Sequence, residues 1–404
     1  MITRTHLADR SLLSRSITPS REGRVTGSDR LRAVWVSGAF GFGDDLAYFR
    51  EVLGQFARRF PEAAVLVREG YPLERYPELP LAPDLRFWVR GRDRRVGEFT
   101  YTGNLRVPTP RAVWRMMRRP TDVVIVVEFT PTALVSAAAA HLRRRRVVQL
   151  IESEPSFRGG AEGRLATAVK RNFARRSHIV LVSNERTARY ARERLGIRAG
   201  RLRIGPYLTS QPAEDPPAAF DDGGPVRFLF LNSLQRRKGL HLLLAALAVL
   251  PEHVREWTLD VVGDGPERAA LERQVVERGL VERVRFHGRR PHDEVAADYA
   301  RAHVVICPTQ GDYRSLAGFE AVNARRPVVL STRDGAAEEI IESGAAAVAV
   351  DPVDPRALAD ALAAFLRHDA HLAEQLAIAA APPDRFSVEA VGANLEAAVR
   401  AAAG

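Results

Sequence analysis

Cysteine is nearly absent from this sequence, which contains one in 404 residues, Cys307. A single cysteine excludes a disulfide within the chain and any metal cluster built on several cysteines. It is typical of proteins from a reducing compartment, and within an apolar run it usually serves as a small core side chain. We therefore expect a cytoplasmic protein in which Cys307 is part of the core.

Long apolar runs are also absent. No stretch approaches the roughly 18 apolar residues of a membrane-crossing helix, and the first 30 residues lack the apolar core of a secretory signal. Residues 1–30 are instead rich in serine, threonine and arginine without a sustained period, which predicts a disordered segment. The remaining length is enough for two or three domains, each with its own core.

Lysine is scarce as well, because only Lys170 and Lys238 accompany 58 arginines. A lysine retained in a chain that otherwise uses arginine indicates a position where a compact ammonium group is needed. Lys238 lies in a polar loop between a strand pattern and an apolar helix pattern, so it is the better candidate for a functional lysine.

Arginine, by contrast, is abundant and unevenly distributed. Residues 1–210 contain 39 Lys and Arg against 20 Asp and Glu, whereas residues 211–404 contain 21 against 29, and four arginines form the run 143–146. Such an excess fits an anionic partner: a membrane surface, a phosphorylated acceptor or a nucleic acid. An arginine-rich proteome would give the same bias. No nucleic-acid-reading motif accompanies the arginines, so we predict no nucleic-acid binding.

Strand and helix patterns alternate along most of the chain, which predicts an α/β protein with two doubly wound parallel-sheet domains in tandem. The dense Pro, Gly and Asp content of residues 211–224 predicts the linker between them. The domains are then 31–210 and 225–381. A last helix within 382–404 is set apart by two prolines.

Two details of the first domain are less clear from the pattern. A third strand is predicted at 85–89, and a short helix at 111–119 carries Trp114 among several arginines. The helix suits peripheral contact with an anionic membrane, on the inner face of the cell membrane. The alternative is an ordinary amphipathic helix with Trp114 turned inward.

A glycine-containing loop follows the first strand pattern, and Asp44 then starts a helix. The glycine spacing differs from the G-x-G-x-x-G dinucleotide motif, and an acid at the helix start would repel a pyrophosphate. We interpret Gly41 and Asp44 as part of a flexible lip near the acceptor, with the aspartate capping the helix.

Acidic residues follow two later strand patterns of the first domain. Glu128 ends one strand, and Glu152 and Glu154 come directly after the next. Parallel sheets bind ligands at the carboxyl ends of their strands. These three acids are therefore candidate acceptor-binding residues.

The most informative stretch is 304–323, VVICPTQGDYRSLAGFEAVN, which predicts a buried strand, a polar loop and a helix beginning near Ser315. Asp312 lies in the loop and Glu320 about a turn and a half into the helix. The start of a helix presents unpaired N–H groups that favour an anion. A helix start that can bind a diphosphate, with a carboxylate beside it, is a suitable site for a nucleotide sugar.

Five pieces of the second half, in order and with fitting spacing, resemble the family 4 glycosyltransferases of the GT-B fold. They are the loop NSLQRRKG at 232–239, the turn GDGP at 263–266, the turn FHG at 286–288, the Asp312–Glu320 pair with RPVV at 326–329, and Glu339. The resemblance implies two Rossmann-like domains that face a cleft. It covers the whole second domain, whereas the first domain matches mainly in layout.

The resemblance also implies residue roles. The donor would be a nucleoside diphosphate sugar, with no cofactor and no metal required. Lys238 would neutralise the leaving diphosphate, Glu320 would take the ribose diol, and Asp312 a hydroxyl of the transferred sugar. The other implied donor-binding residues are Ser233, Arg237, Gly288, Arg289, Arg314, Ser315, Leu316 and Glu339.

The sequence departs from the family pattern at three of these places. Asp312 replaces a glutamate, Ser233 stands where an arginine is usual, and Glu152 replaces a common histidine. Arg236, Arg237 or Arg314 would have to supply the missing phosphate contact. Glu152 would orient or deprotonate the acceptor hydroxyl, or steady a positive transition state.

The resemblance implies a retaining transferase acting on a glycan, lipid-linked, phosphorylated or small-molecule acceptor. Glu128, Glu152 and Glu154 would alternatively suit a cationic acceptor such as an amino sugar. Two other functions stay open: a GT-B nucleotide-sugar epimerase, and a catalytically weak nucleotide-sugar-binding subunit. Donor turnover without an acceptor would indicate the first, and donor binding without any turnover the second.

Overall fold

The computed structural model describes residues 30–37, 45–96, 99–153, 163–206, 224–251, 254, 256–291, 294–367 and 369–404. The predicted disordered segment lies outside these ranges except for Arg30, and so does the predicted linker except for Gly224. Three candidate acceptor residues also lie outside them: Gly41, Asp44 and Glu154.

The first domain is built on a parallel sheet of seven strands, most of them short runs of valine, leucine and isoleucine that are buried on both faces. Its order is β3-β2-β1-β6-β7-β8-β9. The strands are β1 (Ala33–Val36), β2 (Ala64–Arg68), β3 (Leu81–Leu85), β6 (Val123–Val127), β7 (Arg146–Ile151), β8 (Ile179–Val182) and β9 (Leu202–Ile204).

Five helices cover this sheet: α1 (Asp45–Arg59), α2 (Pro110–Arg118), α3 (Pro131–Leu142), α4 (Arg164–Arg176) and α5 (Glu185–Glu193). Three of them begin with a capping residue whose side chain accepts a backbone N–H of the first turn: Thr109, Thr130 and Asn184. In α2 and α3 a proline follows the cap, where its fixed φ suits the first turn.

An antiparallel hairpin outside the main sheet was not predicted. It consists of β4 (Phe87–Val96) and β5 (Phe99–Pro108), and the predicted strand at 85–89 in fact belongs partly to β3 and partly to this hairpin. Its arginine-rich strands lack the apolar alternation of a half-buried sheet, since Trp88 and Val89 are both exposed.

Helix α2 buries Ala112 and Met116 rather than its tryptophan. Trp114 is 51% exposed, and the Arg118 guanidinium lies over its ring at 4.3 Å. The expectation that Trp114 turns inward is therefore wrong. Among the described residues, none of the helices has the length and hydropathy to cross a membrane.

The second domain contains a parallel sheet of six strands in the order β12-β11-β10-β13-β14-β15. The strands are β10 (Val226–Leu231), β11 (Trp257–Val262), β12 (Val284–Gly288), β13 (Val304–Cys307), β14 (Val328–Ser331) and β15 (Ala347–Val350). The chain moves outward from β10 to β12 and then returns to the other side of β10, so the strand order reverses between β10 and β13. Such a switch point is where open α/β sheets bind ligands.

The helices of this domain are α6 (Leu240–Leu247), α7 (Arg268–Glu277), α8 (Val295–Arg301), α9 (Leu316–Asn323), α10 (Ala336–Glu342), α11 (Pro355–Arg367) and α12 (Asp369–Ala379). The prediction missed α12, whose exposed residues obscure its apolar face. The last helix, α13 (Val388–Ala403), packs against α1 and the strands of the first domain. The predicted pair of doubly wound parallel sheets is confirmed.

Candidate functional site

The loops after β10 and β13 meet at the switch point of the second sheet and hold each other in place. The backbone carbonyl of Arg237 accepts the Gln310 N–H at 2.7 Å and the Thr309 hydroxyl at 3.0 Å. Gly239, at φ 79°, passes so close to the other loop that a Cβ would lie 1.9 Å from the Pro308 carbonyl oxygen. Only glycine fits there, because both the backbone angle and the space exclude a side chain.

Lys238 and Asp312 form the centre of the site. The Lys238 ammonium donates to Asp312 Oδ2 at 2.5 Å, and Arg237 donates to the same oxygen at 3.1 Å. Burial disfavours the Asp312 carboxylate, but the two cations outweigh it and hold the pKa of Asp312 below its usual value. Lys238 and Arg237 thus converge on one carboxylate oxygen, and paired cations of this kind also suit phosphate oxygens.

Helix α9 places Glu320 deeper in the same site. Glu320 is 7% exposed, and its Oε2 accepts the Tyr299 hydroxyl at 2.6 Å. Burial, reinforced by the Glu320 charge, raises the pKa of Tyr299, so the hydroxyl stays a donor. Cys307 is buried in the adjoining strand and burial raises its pKa, which makes it a poor nucleophile.

Asp334 is a site residue that sequence reasoning missed. It forms a β-bridge with Asp312, and its Oδ1 accepts the backbone N–H groups of Ser315 and Ala336 at 3.2 and 2.9 Å. Burial and the Asp312 charge raise the pKa of Asp334 to about 6. Asp334 therefore caps the starts of two helices, and it occupies the Ser315 N–H that the resemblance assigns to phosphate.

Arg314 connects the two domains. Its side chain is 0% exposed, donates to both oxygens of Glu339 at 3.1 and 3.2 Å, and lies over the Phe319 ring at 3.7 Å. Its Nη1 is 3.9 Å from Oε1 of Glu152 in the first domain. Arg314 thus faces two carboxylates, and Glu339 is a buried ion-pair partner rather than a surface acid.

The Glu128 carboxylate is hydrogen-bonded to the protein itself. Its Oε1 accepts the backbone N–H groups of Glu152 and Ser153 at 2.8 and 2.9 Å, and its Oε2 accepts the Ser153 hydroxyl at 2.5 Å. Glu128 also adopts φ 61°, a left-handed conformation that is unusual for a non-glycine residue. Strain of this kind persists where the surroundings enforce it, and here it fixes the turn that carries Glu152.

The remaining donor-site candidates lie around this centre. Ser233 is half-buried in the loop after β10, and Gly288 ends β12 with φ 74° beside exposed Arg289. Ser315 is buried at the start of α9, and Leu316 packs against the core of the first domain. Among the described residues, no group of three or more His, Cys, Asp and Glu could hold a metal ion.

The site therefore unites residues from both halves of the chain. The structure forms two sets of charges there: Lys238 and Arg237 pair with Asp312, and Arg314 pairs with Glu339 and faces Glu152. The signal that could have revealed Asp334 is its position before the helix at 336, since aspartate is a preferred cap. No sequence signal pairs Arg314 with Glu152, because they are 162 positions apart in separate domains.

The same architecture occurs in several solved structures. Alr3699/HepE of Anabaena, solved in complex with UDP and glucose, superposes with a TM-score of 0.67 at 19% identity, over 91% of this chain and 98% of that chain. WaaG, a glycosyltransferase involved in lipopolysaccharide biosynthesis, superposes with a TM-score of 0.59 at 16% identity, over 91% of this chain and 99% of that chain. The predicted GT-B fold is confirmed.

The family follows from the sequence matches. Residues 213–381 match the family described as glycosyl transferases group 1, and residues 46–208 match the glycosyl transferase 4-like domain. The chain belongs to this glycosyltransferase family, as its motifs predict.

Curated relatives include enzymes with several acceptors. The alpha-D-kanosaminyltransferase of Streptomyces kanamyceticus is 27% identical over 57% of this chain and 62% of its own length. The 2-deoxystreptamine glucosyltransferase of the same organism is 33% identical over 41% of this chain and 45% of its own length. The D-inositol 3-phosphate glycosyltransferase of Corynebacterium urealyticum is 37% identical over 35% of this chain and 34% of its own length. The matched part thus spans between about a third and three fifths of these relatives.

Proposed function

We propose that this protein is a retaining glycosyltransferase that moves a sugar from a nucleoside diphosphate sugar to a hydroxyl of its acceptor. The observation that carries the proposal is the buried Lys238–Asp312 pair at the switch point of the second sheet, beside the start of α9. There the donor diphosphate would draw Lys238 and Arg237 partly away from Asp312. Glu320, held by Tyr299, would accept the two hydroxyls of the ribose.

The reaction would proceed without a metal, because Lys238 and Arg237 supply positive charge where it is needed. The bond between the sugar carbon and the diphosphate oxygen breaks, and the electron pair leaves with the phosphate. The two cations stabilise that growing negative charge. The acceptor oxygen bonds to the same carbon from the same face, and its proton passes to the departing phosphate.

Arg314 and Glu128 act on the acceptor side as positioning residues. Glu128 fixes the backbone at Glu152, and Arg314 places a positive charge 3.9 Å from the Glu152 carboxylate. Glu152 would then orient the acceptor hydroxyl or steady the positive transition state. Because Arg314 is committed to Glu339 and Glu152, Arg237 rather than Arg314 supplies the second phosphate contact in this proposal.

The acceptor is a small polyol that carries amino or phosphate groups. Relatives named for 2-deoxystreptamine and for D-inositol 3-phosphate support these two kinds of acceptor. Lipid-linked acceptors, a cytoplasmic location and peripheral contact of α2 with an anionic membrane stay predictions from the sequence, as does the lack of nucleic-acid binding.

Two variants separate the donor role from the transfer role. A thermal-shift screen first identifies the nucleoside diphosphate that the protein binds. Lys238→Ala should weaken binding of that nucleotide by roughly 10- to 100-fold, since a charge-assisted contact is lost. Glu152→Gln, which keeps the shape of the side chain, should leave that affinity within about twofold and lower kcat by roughly tenfold or more. Exposed Arg273→Ala is the matched control for Lys238→Ala.

Calorimetry and transfer assays with amino and phosphorylated polyols measure both effects. Unchanged nucleotide affinity in Lys238→Ala would refute the donor site. Donor turnover without an acceptor would indicate an epimerase instead, and binding without turnover for any acceptor would indicate a binding subunit.

A further inference from the structure

The edge of the first sheet opposite the cleft contains a second, strongly basic cavity. It lies where β1, β6 and β7 begin and has a volume of about 790 Å³. Six arginines line it against two acids, Asp122 and Glu62: Arg30, Arg32, Arg143, Arg144, Arg145 and Arg146. The ligands of a parallel sheet bind at the other end of its strands, so the glycosyltransferase site does not account for this cluster.

Two of the arginines form the fixed part of the cavity wall. Arg32 donates to both oxygens of Asp122, through Nη2 at 2.7 Å and Nε at 3.0 Å. Arg145 donates to three backbone carbonyls around the end of α2, at 2.6 to 2.7 Å. Burial, together with the charges of Arg143 and Arg32, lowers the pKa of Arg145. Two acids among six arginines leave the positive charge of the lining unbalanced.

The other arginines surround the opening. Arg143 and Arg144 are exposed in the tight turn between α3 and β7, Arg146 is exposed at the start of β7, and Arg30 is also exposed. Arg144 adopts φ 54° within that turn. A left-handed arginine costs about 1 kcal/mol or more, yet the turn is tied by N–H bonds from Arg144 and Arg145 to the last turn of α3. The three guanidinium groups therefore start from one short, fixed segment.

We propose that this cavity binds a compact anion that carries two or more phosphate groups. Several guanidinium groups converging on one concave space suit phosphate oxygens, which each accept paired N–H donors. Among the described residues that line the cavity, none is aromatic, so a nucleobase would find no stacking surface. The same phosphate chemistry occurs in a soluble polyphosphate and in a phosphorylated lipid headgroup. The site gives the arginine run 143–146 a role distinct from the transferase chemistry.

Calorimetry with inorganic tripolyphosphate tests the proposal. The titration uses the full chain with Lys238→Ala, which weakens the donor site, and every variant carries this change so that any remaining donor-site binding is common to all of them. The triple variant Arg143→Ser, Arg144→Ser, Arg146→Ser should lose roughly tenfold or more in affinity. The matched control removes the same charge from exposed arginines of the second domain, Arg273→Ser, Arg278→Ser, Arg285→Ser, and should change the affinity by less than about twofold, since distant surface charges are screened.

Orthophosphate at equal ionic strength should bind more weakly than tripolyphosphate, because it engages fewer arginines. Equal affinity in the parent and the triple variant, or equal losses in both triple variants, would overturn the proposal. A second arm uses phosphatidylcholine vesicles with and without phosphatidic acid. Vesicle binding that requires phosphatidic acid and is lost in the same triple variant would assign the phosphate to a lipid headgroup. Binding of tripolyphosphate alone would assign it to a soluble ligand.

Discussion

Asp334 places a second acid directly against Asp312, and the consequence is a dependence of stability on pH. An acid whose pKa is raised on folding binds its proton more tightly in the folded state, so the folded protein loses stability as pH rises through the interval between the two pKa values. For Asp334 this interval runs from 3.8, its ordinary value, to about 6. Above that interval the full penalty of a buried, unneutralised carboxylate is present.

Replacing Asp334 by asparagine should therefore stabilise the protein at neutral pH. The amide oxygen can still accept the N–H groups of Ser315 and Ala336, while the charge is removed. We expect a gain of about 1–3 kcal/mol in the free energy of unfolding above pH 7, which shrinks toward zero near pH 4. Urea unfolding from pH 4 to 8 measures it. Asp354→Asn is the control, because Asp354 caps α11 through two similar bonds at the surface.

A gain that is equal at all pH values would contradict the assignment, and so would a loss at pH 8.

At the scale of single residues, the sequence was informative where a motif has a fixed spacing, as for Lys238, Asp312 and Glu320. It was silent about pairs such as Arg314 with Glu152, whose contact depends on how two domains meet. It also left Glu128 as a ligand-binding candidate, although its carboxylate is occupied by backbone N–H groups.

The loop between β10 and α6 shows what an element needs beyond its pattern. The loop positions Lys238 only if it can lie against the chain that leaves β13, and Gly239 makes that approach possible. The apolar helix pattern predicted α6, but the closeness of the two loops follows from the adjacency of β10 and β13 in the sheet.

Gly239→Ala should destabilise the protein by about 2–4 kcal/mol, since it adds a left-handed alanine and a clash with the Pro308 carbonyl. It should also weaken nucleotide binding, because the displaced loop carries Lys238. Gly279→Ala is the matched control: Gly279 has a similar φ of 68°, but a Cβ there meets nothing within 4 Å. We expect a loss of about 1 kcal/mol and unchanged nucleotide affinity for this control. Equal effects of both substitutions in urea unfolding and nucleotide titration would refute the packing argument.

On the scale of the whole molecule, α13 joins the end of the chain to the first domain. Its apolar residues belong to the core that also contains α1 and the first sheet, while Phe386, just before it, contacts Phe319 of the second domain edge to face at 5.0 Å. Arg59 of α1 pairs with Glu396 at 2.6 Å and with Glu389. The segment thus touches both domains and limits how they move relative to each other.

Gly392 allows α13 to lie close to α1, because a Cβ there would be 2.7 Å from the Gln55 side chain. Gly392→Leu should push the helices apart and lower the free energy of unfolding by about 1–3 kcal/mol, the usual cost of overpacking. Ala393→Leu, on the exposed face of the same helix, should change it by less than about 0.5 kcal/mol. Urea unfolding of both variants decides the point, and a neutral Gly392→Leu would refute it.

The sequence by itself determined the two parallel sheets, the order of most helices and the family to which the motifs belong, because burial periodicity, capping residues and motif spacing act over short distances along the chain. Only the tertiary structure decided which charges meet across the cleft, that Trp114 faces outward, and that six arginines gather at the far edge of the first sheet. The charges and the arginines brought together in this way lie more than a hundred positions apart in the sequence, and their distances depend on how sheets and domains pack rather than on any local pattern.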